Sequence, residues 1–189
     1  MAGKRPVVFL DRDGVLNRAF PEDGTTRPPW NIEELELLPG VPEAMERLRT
    51  AGFALVVVTN QPDVARGRQT RAAVEAINQK LAQQLPLLDM FACYHDTRDG
   101  CECRKPKPGL LLAAAHKWNL DLPSGFLIGD RWSDVVAAQS AGCRGVLIET
   151  PYSQAERCIP DRRTTEITAA VDWILETAEK VEPFRGERS

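Results

Sequence analysis

The sequence predicts an α/β fold in three layers, with a parallel sheet covered by helices on both faces. Short apolar runs rich in β-branched residues alternate along the chain with segments of helical periodicity. Strands that alternate with helices form right-handed crossovers, and these place the strands parallel in one sheet. The length of 189 residues, with 43% hydrophobic and 27% charged residues, suits one globular domain spanning 1–189.

Four runs predict buried strands because each is continuous, apolar and bounded by polar residues or glycine. They are VVFL (7–10), ALVVVT (54–59), GFLIG (125–129) and GVLIE (145–149).

Five segments predict helices because their apolar residues recur at intervals of three and four. The first begins near Pro39 and stops at Gly52, with Val41, Met45 and Leu48 on one face. The others cover about 70–85, the stretch GLLLAAAHKWN after Pro108, 133–142 and about 165–180. We expect residues of about 180–189 to form a frayed tail.

Polar residues follow three of the predicted strands. Asp11 and Asp13 come directly after the first, Thr59-Asn60-Gln61 ends the second, and Gly129-Asp130-Arg131 follows the third. Ligands of parallel sheets bind beyond the carboxyl ends of the strands. The three clusters are therefore predicted to share one edge of the sheet and to form a functional site there. Each has a plainer reading, as a polar turn, a helix N-cap or acids favouring a helix dipole.

Four residues of one segment form a potential metal site. Cys93, His95, Cys101 and Cys103 supply three thiols and one imidazole, a full tetrahedral set with no open position. This predicts a structural Zn²⁺ site in a loop of about 93–103; the alternative is scattered thiols and a surface histidine. Cys143 and Cys158 stand alone and are expected to pack in the core.

Charge and hydropathy exclude several classes of function. The net charge of −3 argues against a nucleic-acid or anionic-membrane binder. No apolar run approaches the roughly 18 residues of a membrane span, and the N-terminal apolar stretch is too short for a secretory signal. We expect a cytoplasmic monomer without nucleic-acid or membrane partners, acting on a small molecule.

Four motifs together resemble those of the haloacid dehalogenase (HAD) superfamily of Asp-nucleophile phosphatases. They are DRDGVLN (11–17), TNQ (59–61), the lysine of CRKP (103–106) and GDRWSD (129–134), in the expected order. The resemblance covers roughly residues 6–150 and implies a Rossmann-like core. It implies that Asp11 attacks phosphorus as nucleophile and that Asp13 acts as general acid and base.

The resemblance also implies binding residues. Mg²⁺ would be held by Asp11, Asp130 and the backbone carbonyl of Asp13, with Asp134 acting through water. The transferred phosphoryl group would contact Thr59, Asn60 and Lys105, although Lys105 in KPKP also suits a solvated charge run. The remaining substrate contacts would come from Arg12, Gln61, Arg104 and Arg131.

Too few residues separate the first two motifs to form a large cap domain. Specificity is therefore expected in loops of about 18–34, 62–69 and 93–105. Arg104 is best placed to bind a second anionic group, so we expect a substrate with two phosphates, such as a sugar bisphosphate, or with a phosphate and a carboxylate. The chain resembles the capless branch (subfamily IIIA), which contains heptose 1,7-bisphosphate 7-phosphatases and histidinol-phosphate phosphatases. ALVVVTNQPDVARG and CRKPKPGLLLAAA resemble the heptose enzymes more closely, whereas the five-residue gap between His95 and Cys101 resembles the histidinol-phosphate group. A non-catalytic zinc-bearing module is the alternative from another class.

Overall fold

The computed structural model describes residues 3–181. The strands of this part of the chain are β1 (Arg5–Leu10), β2 (Phe20–Glu22), β3 (Thr25–Arg27), β4 (Ala54–Asn60), β5 (Asp89–Cys93), β6 (Leu120–Gly129), β7 (Arg144–Ile148) and β8 (Arg162–Thr164). The helices are α1 (Val41–Thr50), α2 (Arg71–Gln84), α3 (Gly109–Trp118), α4 (Trp132–Ala141) and α5 (Ile167–Val181).

Six of the strands form one parallel sheet in the order β5-β4-β1-β6-β7-β8. The predicted α/β class is confirmed, and all four predicted strands and five predicted helices are present. The segment between β1 and α1 holds only the antiparallel hairpin of β2 and β3, which is far smaller than a cap domain. The predicted tail falls outside the described residues, apart from its first two positions at the end of α5.

Both faces of the sheet are buried, because alternate residues of each central strand enter different cores. In β1, Val8 and Leu10 join a cluster with α1 and α5, whereas Val7 and Phe9 join one with α3 and α4. This alternation explains why the central strands read as continuous apolar runs.

The sheet order places β1 at a topological switch point. The chain runs from β1 outward to β4 and β5, then returns to β6 on the other side of β1. The carboxyl end of β1 therefore lies between those of β4 and β6, where a crevice opens in folds of this kind. None of the helices in the described part of the chain is long and apolar enough to span a bilayer.

The strands that the sequence did not reveal are those with mixed polarity. The residues of edge strand β5 are half-buried except Cys93, and β8 has the sequence Arg-Arg-Thr on the opposite edge. Strand β6 also begins five residues before the predicted position, and its pairing with β1 shifts register between Pro6 and Val8. Backbone pairing with a neighbour, which composition does not report, decides these elements.

Candidate active site

The polar clusters at the ends of β1, β4 and β6 meet in one cavity of about 770 Å³. The predicted site residues that line it are Asp11, Asp13, Thr59, Asn60, Arg104, Lys105, Arg131 and Asp134. Thr59 lies within β4, and the next helix, α2, takes its N-cap from Thr70, so Thr59 is not a helix cap. The prediction of a shared sheet edge is confirmed.

Asp11 lines this cavity and comes directly after β1. Its Oδ1 accepts a 2.8 Å hydrogen bond from the Arg12 backbone N–H and lies 2.9 Å from Lys105 Nζ. Burial raises the pKa of the Asp11 carboxyl to about 6, with Asp134 and Asp13 adding to the rise and Lys105 opposing it. A partly desolvated carboxylate with one adjacent cation is a suitable nucleophile.

Lys105 is a buried cation, so the reading as a solvated charge run is wrong. Its Nζ donates to the Val58 carbonyl at 2.8 Å and lies 2.6 Å from Asp134 Oδ1, in addition to its pairing with Asp11. Burial alone would lower the Lys105 pKa, but the two carboxylates outweigh it and raise the pKa. Asn60 holds the backbone of this lysine, accepting from its N–H at 3.1 Å and donating to its carbonyl at 3.0 Å.

Three carboxylates converge beside Lys105. Oxygens of Asp11, Asp130 and Asp134 lie within 4.8 Å of one another. Asp134 also caps α4, since its Oδ2 accepts from the Arg131 N–H at 3.0 Å. Asp130 Oδ1 is buried and has no hydrogen-bond partner among the described residues. Burial, together with Asp11 and Asp134, raises the pKa of Asp130 well above its usual value.

This donor set fits a Mg²⁺ ion, because the ion prefers hard oxygen ligands and would satisfy the orphaned oxygen of Asp130. Gly14 is required for the arrangement. Its φ is +88°, and a Cβ at this position would lie 2.3 Å from Asp130 Oδ2. The Asp130 carboxylate therefore occupies the space that any other residue at position 14 would fill.

Asp13 is held by four donors. Arg12 donates to both of its oxygens, at 3.1 and 3.0 Å, and the side-chain amides of Asn17 and Gln61 donate at 3.0 and 2.7 Å. Arg12 is fully buried, and its Nη1 donates to Asn78 Oδ1 of α2 at 2.7 Å.

Arg12 and Gln61, which were expected to contact the substrate, lie outside the wall of the cavity. Neither lines the cavity, and both lie behind the Asp13 carboxylate. Gln61 is also buried and donates to Thr59 Oγ1 at 2.9 Å. The Arg12 guanidinium donates to the Asp13 carboxylate, and the Gln61 amide donates to that carboxylate and to Thr59 Oγ1. Both side chains therefore hold Asp13 in position.

The four cysteine and histidine residues come together as the sequence predicts. Cys103 Sγ lies 3.2 Å from Cys93 Sγ, 3.4 Å from Cys101 Sγ and 3.3 Å from His95 Nδ1. Cys93 Sγ lies 3.6 Å from His95 Nδ1 and 3.7 Å from Cys101 Sγ. Ligands of tetrahedral zinc, with bonds of about 2.0–2.3 Å, are about 3.5–3.8 Å apart. The group therefore fits zinc, and the scattered-thiol alternative is wrong.

The cysteine cluster is joined to the site through the backbone. Cys93 ends β5, and its carbonyl accepts a 2.7 Å hydrogen bond from the Gln61 N–H, while Cys103 lies two residues before Lys105. Burial raises the pKa of the Cys93 thiol to about 12, so a cation is needed for it to ionise near neutral pH. A metal here would order the segment that leads into Lys105 and the end of β5 that holds the Gln61 backbone.

Comparisons with known proteins agree with this geometry. A profile of the HAD-hydrolase-like family matches residues 102–173. The chain is 35% identical to D-glycero-beta-D-manno-heptose-1,7-bisphosphate 7-phosphatase of Escherichia coli K12, covering 93% of this chain and 91% of that one. It is 34% identical to the corresponding enzyme of Thermosynechococcus vestitus, covering 90% and 95%.

A crystal structure of D,D-heptose 1,7-bisphosphate phosphatase from B. bronchiseptica, complexed with magnesium and phosphate, superposes with a TM-score of 0.78. It is 32% identical and covers 91% of this chain and 99% of that one. The chain belongs to the HAD-like phosphatases. The predicted superfamily and enzyme class are confirmed, and a non-catalytic zinc-bearing module is not supported.

Three loops form the walls of the phosphatase cavity and are tied to one another. The β2–β3 hairpin accounts for the loop of about 18–34, whose role the sequence did not disclose. Glu22 of the hairpin pairs with Arg68, and Arg66 pairs with Asp96 of the zinc loop at 2.9 Å. The hairpin is stiffened by the guanidinium of Arg27, which lies 4.5 Å from the ring centroid of Phe20 and 5.1 Å from that of Trp30.

Two residues that the sequence did not single out also line the cavity of the phosphatase. Trp132 is the first residue of α4, and Arg157 lies in the loop after β7. The signal that could have found Arg157 is its place after the next strand along the sheet, since the rule on carboxyl ends applies to β7 as well.

Proposed function

We propose that this phosphatase removes the 7-phosphate of D-glycero-D-manno-heptose 1,7-bisphosphate in the synthesis of a heptose precursor of lipopolysaccharide. The observation that carries the proposal is the alignment of more than 90% of both chains with an enzyme of that name. The cavity supports the proposal, because it holds the buried Asp11, Asp134 and Lys105. It is also lined by guanidinium groups that suit a second phosphate.

Asp11 is the nucleophile in this proposal and forms an aspartyl-phosphate. The Arg12 N–H and Lys105 fix its Oδ1. Among the described residues no hydrogen bond is donated to Oδ2, which we assign to attack on phosphorus. Lys105 and the hydroxyl of Thr59 neutralise and bind the transferred phosphoryl oxygens. Asn60 acts mainly by fixing the backbone of Lys105.

Asp13 gives a proton to the leaving sugar oxygen and later removes one from the water that hydrolyses the intermediate. A protonated Asp13 cannot accept four hydrogen bonds. At least one of these four hydrogen bonds must therefore break when Asp13 carries the proton. Arg12 and Gln61 accordingly act as positioning residues rather than as substrate contacts.

The side chains of Asp11, Asp130 and Asp134, with the Asp13 carbonyl, would hold Mg²⁺. When bound, this ion masks the repulsion between the attacking carboxylate and the phosphate dianion. Asp134 lies close enough to the other two carboxylates to ligate directly as well as through water. Cys93, His95, Cys101 and Cys103 would hold a structural Zn²⁺, and Arg104 and Arg131 would contact the substrate.

The test is a phosphate-release assay with Mg²⁺ on heptose 1,7-bisphosphate, both corresponding monophosphates and histidinol phosphate, with Asp11→Asn as the inactive control. Phosphorus NMR identifies which phosphate leaves the bisphosphate. We expect release from position 7 and the highest kcat/KM on the bisphosphate. Release from position 1, faster turnover of histidinol phosphate, or no turnover of any compound would each contradict the proposal.

A further inference from the structure

Most charged groups around the active-site cavity are already paired. Lys105 pairs with Asp11 and Asp134, whereas Arg66 and Arg68 pair with acids of the cavity wall. The pairs at Arg66 and Arg68 leave these guanidinium groups little charge to offer an anionic ligand, and Lys105 is already assigned to the transferred phosphoryl group. The cations without a carboxylate partner are therefore the candidates for binding an anionic ligand.

Among the lining residues that the structure describes, three arginines have no carboxylate within 4.0 Å. They are Arg104, Arg131 and Arg157. Arg104 donates to the His95 carbonyl at 3.3 Å, so its guanidinium is turned towards the zinc loop. Among the described residues the guanidinium of Arg131 donates only to a neutral acceptor, Thr26 Oγ1 at 2.7 Å, so no carboxylate offsets its charge at the cavity.

Arg157 stacks on an aromatic ring. Its Cζ lies 3.7 Å from the ring centroid of Trp132, and Nη1 donates to Gln154 Oε1 at 2.8 Å. A guanidinium on an aromatic face keeps its remaining N–H groups in the plane of the group, where they can bind an anion. Arg131 directly precedes Trp132 in the chain, and Arg131, Trp132 and Arg157 all line the same cavity.

The loop that carries Arg157 is anchored to the fold. The Trp132 N–H donates to the Ser153 carbonyl at 2.9 Å. Ser153 is buried, and its Oγ accepts from the Thr150 N–H at 2.8 Å and contacts the Ile148 carbonyl at 3.3 Å. Cys158 packs against Val135 and Leu147. These contacts set the position of the stacked arginine before a ligand arrives, which lowers the entropic cost of binding.

We propose that Arg131, Trp132 and Arg157 form the subsite for the phosphate that is not transferred, on the side of the cavity away from the zinc loop. This inference rests on the proposed function, since it needs a substrate with two phosphates. Two guanidinium groups match a phosphate dianion in charge and in donor geometry. The subsite would distinguish a sugar bisphosphate from the same sugar with one phosphate.

The test compares kcat/KM for heptose 1,7-bisphosphate and heptose 7-phosphate in the wild type and in variants. For Arg157→Ala we expect a loss of about 10- to 100-fold on the bisphosphate, mostly through KM, because a charge-assisted contact is lost. Activity on the monophosphate should change less than about 3-fold. Trp132→Leu should lose selectivity in the same direction, whereas Trp132→Phe should retain most of it because a ring remains.

Arg162→Ala is the matched control, since Arg162 is an exposed arginine of β8 that does not line the cavity. Equal losses on both substrates for Arg157→Ala, or a selectivity loss confined to Arg104→Ala, would overturn the inference. A wild type that does not prefer the bisphosphate would instead overturn the proposed function. If the wild type prefers the bisphosphate and Arg157→Ala keeps the same selectivity, the subsite is refuted and the proposed function is not.

Discussion

Replacing Asp130 with asparagine should stabilise the metal-free protein while removing its response to Mg²⁺. The side chain is 3% exposed, one of its oxygens has no partner among the described residues, and oxygens of Asp11 and Asp134 lie within 4.8 Å. Asparagine has the same shape without the charge. The substitution therefore removes the repulsion between the buried Asp130 carboxylate and those of Asp11 and Asp134.

The size of the effect follows from the separation of the charges. The carboxylate oxygens lie within 4.8 Å of one another, and two charges at that upper limit repel by about 3.5 kcal/mol at an effective dielectric constant of about 20. Lys105 offsets part of this repulsion, so we expect a net gain of about 1–3 kcal/mol in the free energy of unfolding at pH 7.5. In a chain of this length that gain corresponds to a rise of about 2–12 °C in Tm.

The effect should depend on pH. Burial and the neighbouring carboxylates raise the Asp130 pKa in the folded state, so the folded protein loses stability as the pH rises above the ordinary carboxyl pKa of 3.8. The advantage of Asp130→Asn should therefore disappear below about pH 4, where the carboxyl is protonated in both states.

Thermal unfolding in EDTA and in Mg²⁺ measures both parts. Wild type should gain about 2.7 kcal/mol when Mg²⁺ is about 100 times its Kd, and the variant should gain little. Glu33→Gln, the same change from acid to amide at an exposed position, is the control and should change stability by less than about 0.5 kcal/mol. A variant less stable than wild type in EDTA at pH 7.5 would refute the charge-repulsion reasoning.

Three further substitutions test other parts of the site. Asp11→Asn should abolish phosphate release with an unchanged circular dichroism spectrum, and turnover near the wild-type rate would exclude Asp11 as nucleophile. Cys103→Ser should reduce bound zinc, measured by elemental analysis, and lower Tm; an unchanged zinc content would contradict the tetrahedral site. Asn78→Ala should lower kcat about 10-fold with KM nearly constant, because the arginine that holds Asp13 loses its acceptor. Gln79→Ala, exposed on the same helix, should leave both constants unchanged, and an equal effect of the two variants would refute a positioning role for Asn78.

The core of the fold could be predicted because its strands are buried on both faces. The runs VVFL and ALVVVT are apolar at every position but the last threonine. They are also too short to be buried helices, so a strand buried on both faces is the remaining interpretation. The edge strands β5 and β8 escaped prediction because their side chains are partly exposed and their pairing is made by backbone groups. The hairpin of β2 and β3 escaped for the same reason, with Arg27 and Trp30 rather than an apolar core holding it.

The sequence by itself determined which groups would reach the site. Asp11 and Asp130 each follow an apolar strand and Thr59 lies near the end of another, and parallel strands must direct their carboxyl ends to one edge whatever their order. The three cysteines and the histidine of the cluster lie within eleven residues of one another, so local chain geometry nearly suffices to bring them together.

Only the tertiary structure decided what those groups touch. Arg12 faces Asn78, Asn60 holds Lys105, and Arg157 covers Trp132, and the sequence separations of these pairs are 66, 45 and 25 residues. Whether such pairs meet depends on strand order, register and helix packing, which are collective properties of the whole chain. A local pattern places a side chain at an edge of the sheet, but the partner that meets it there arrives from a distant segment.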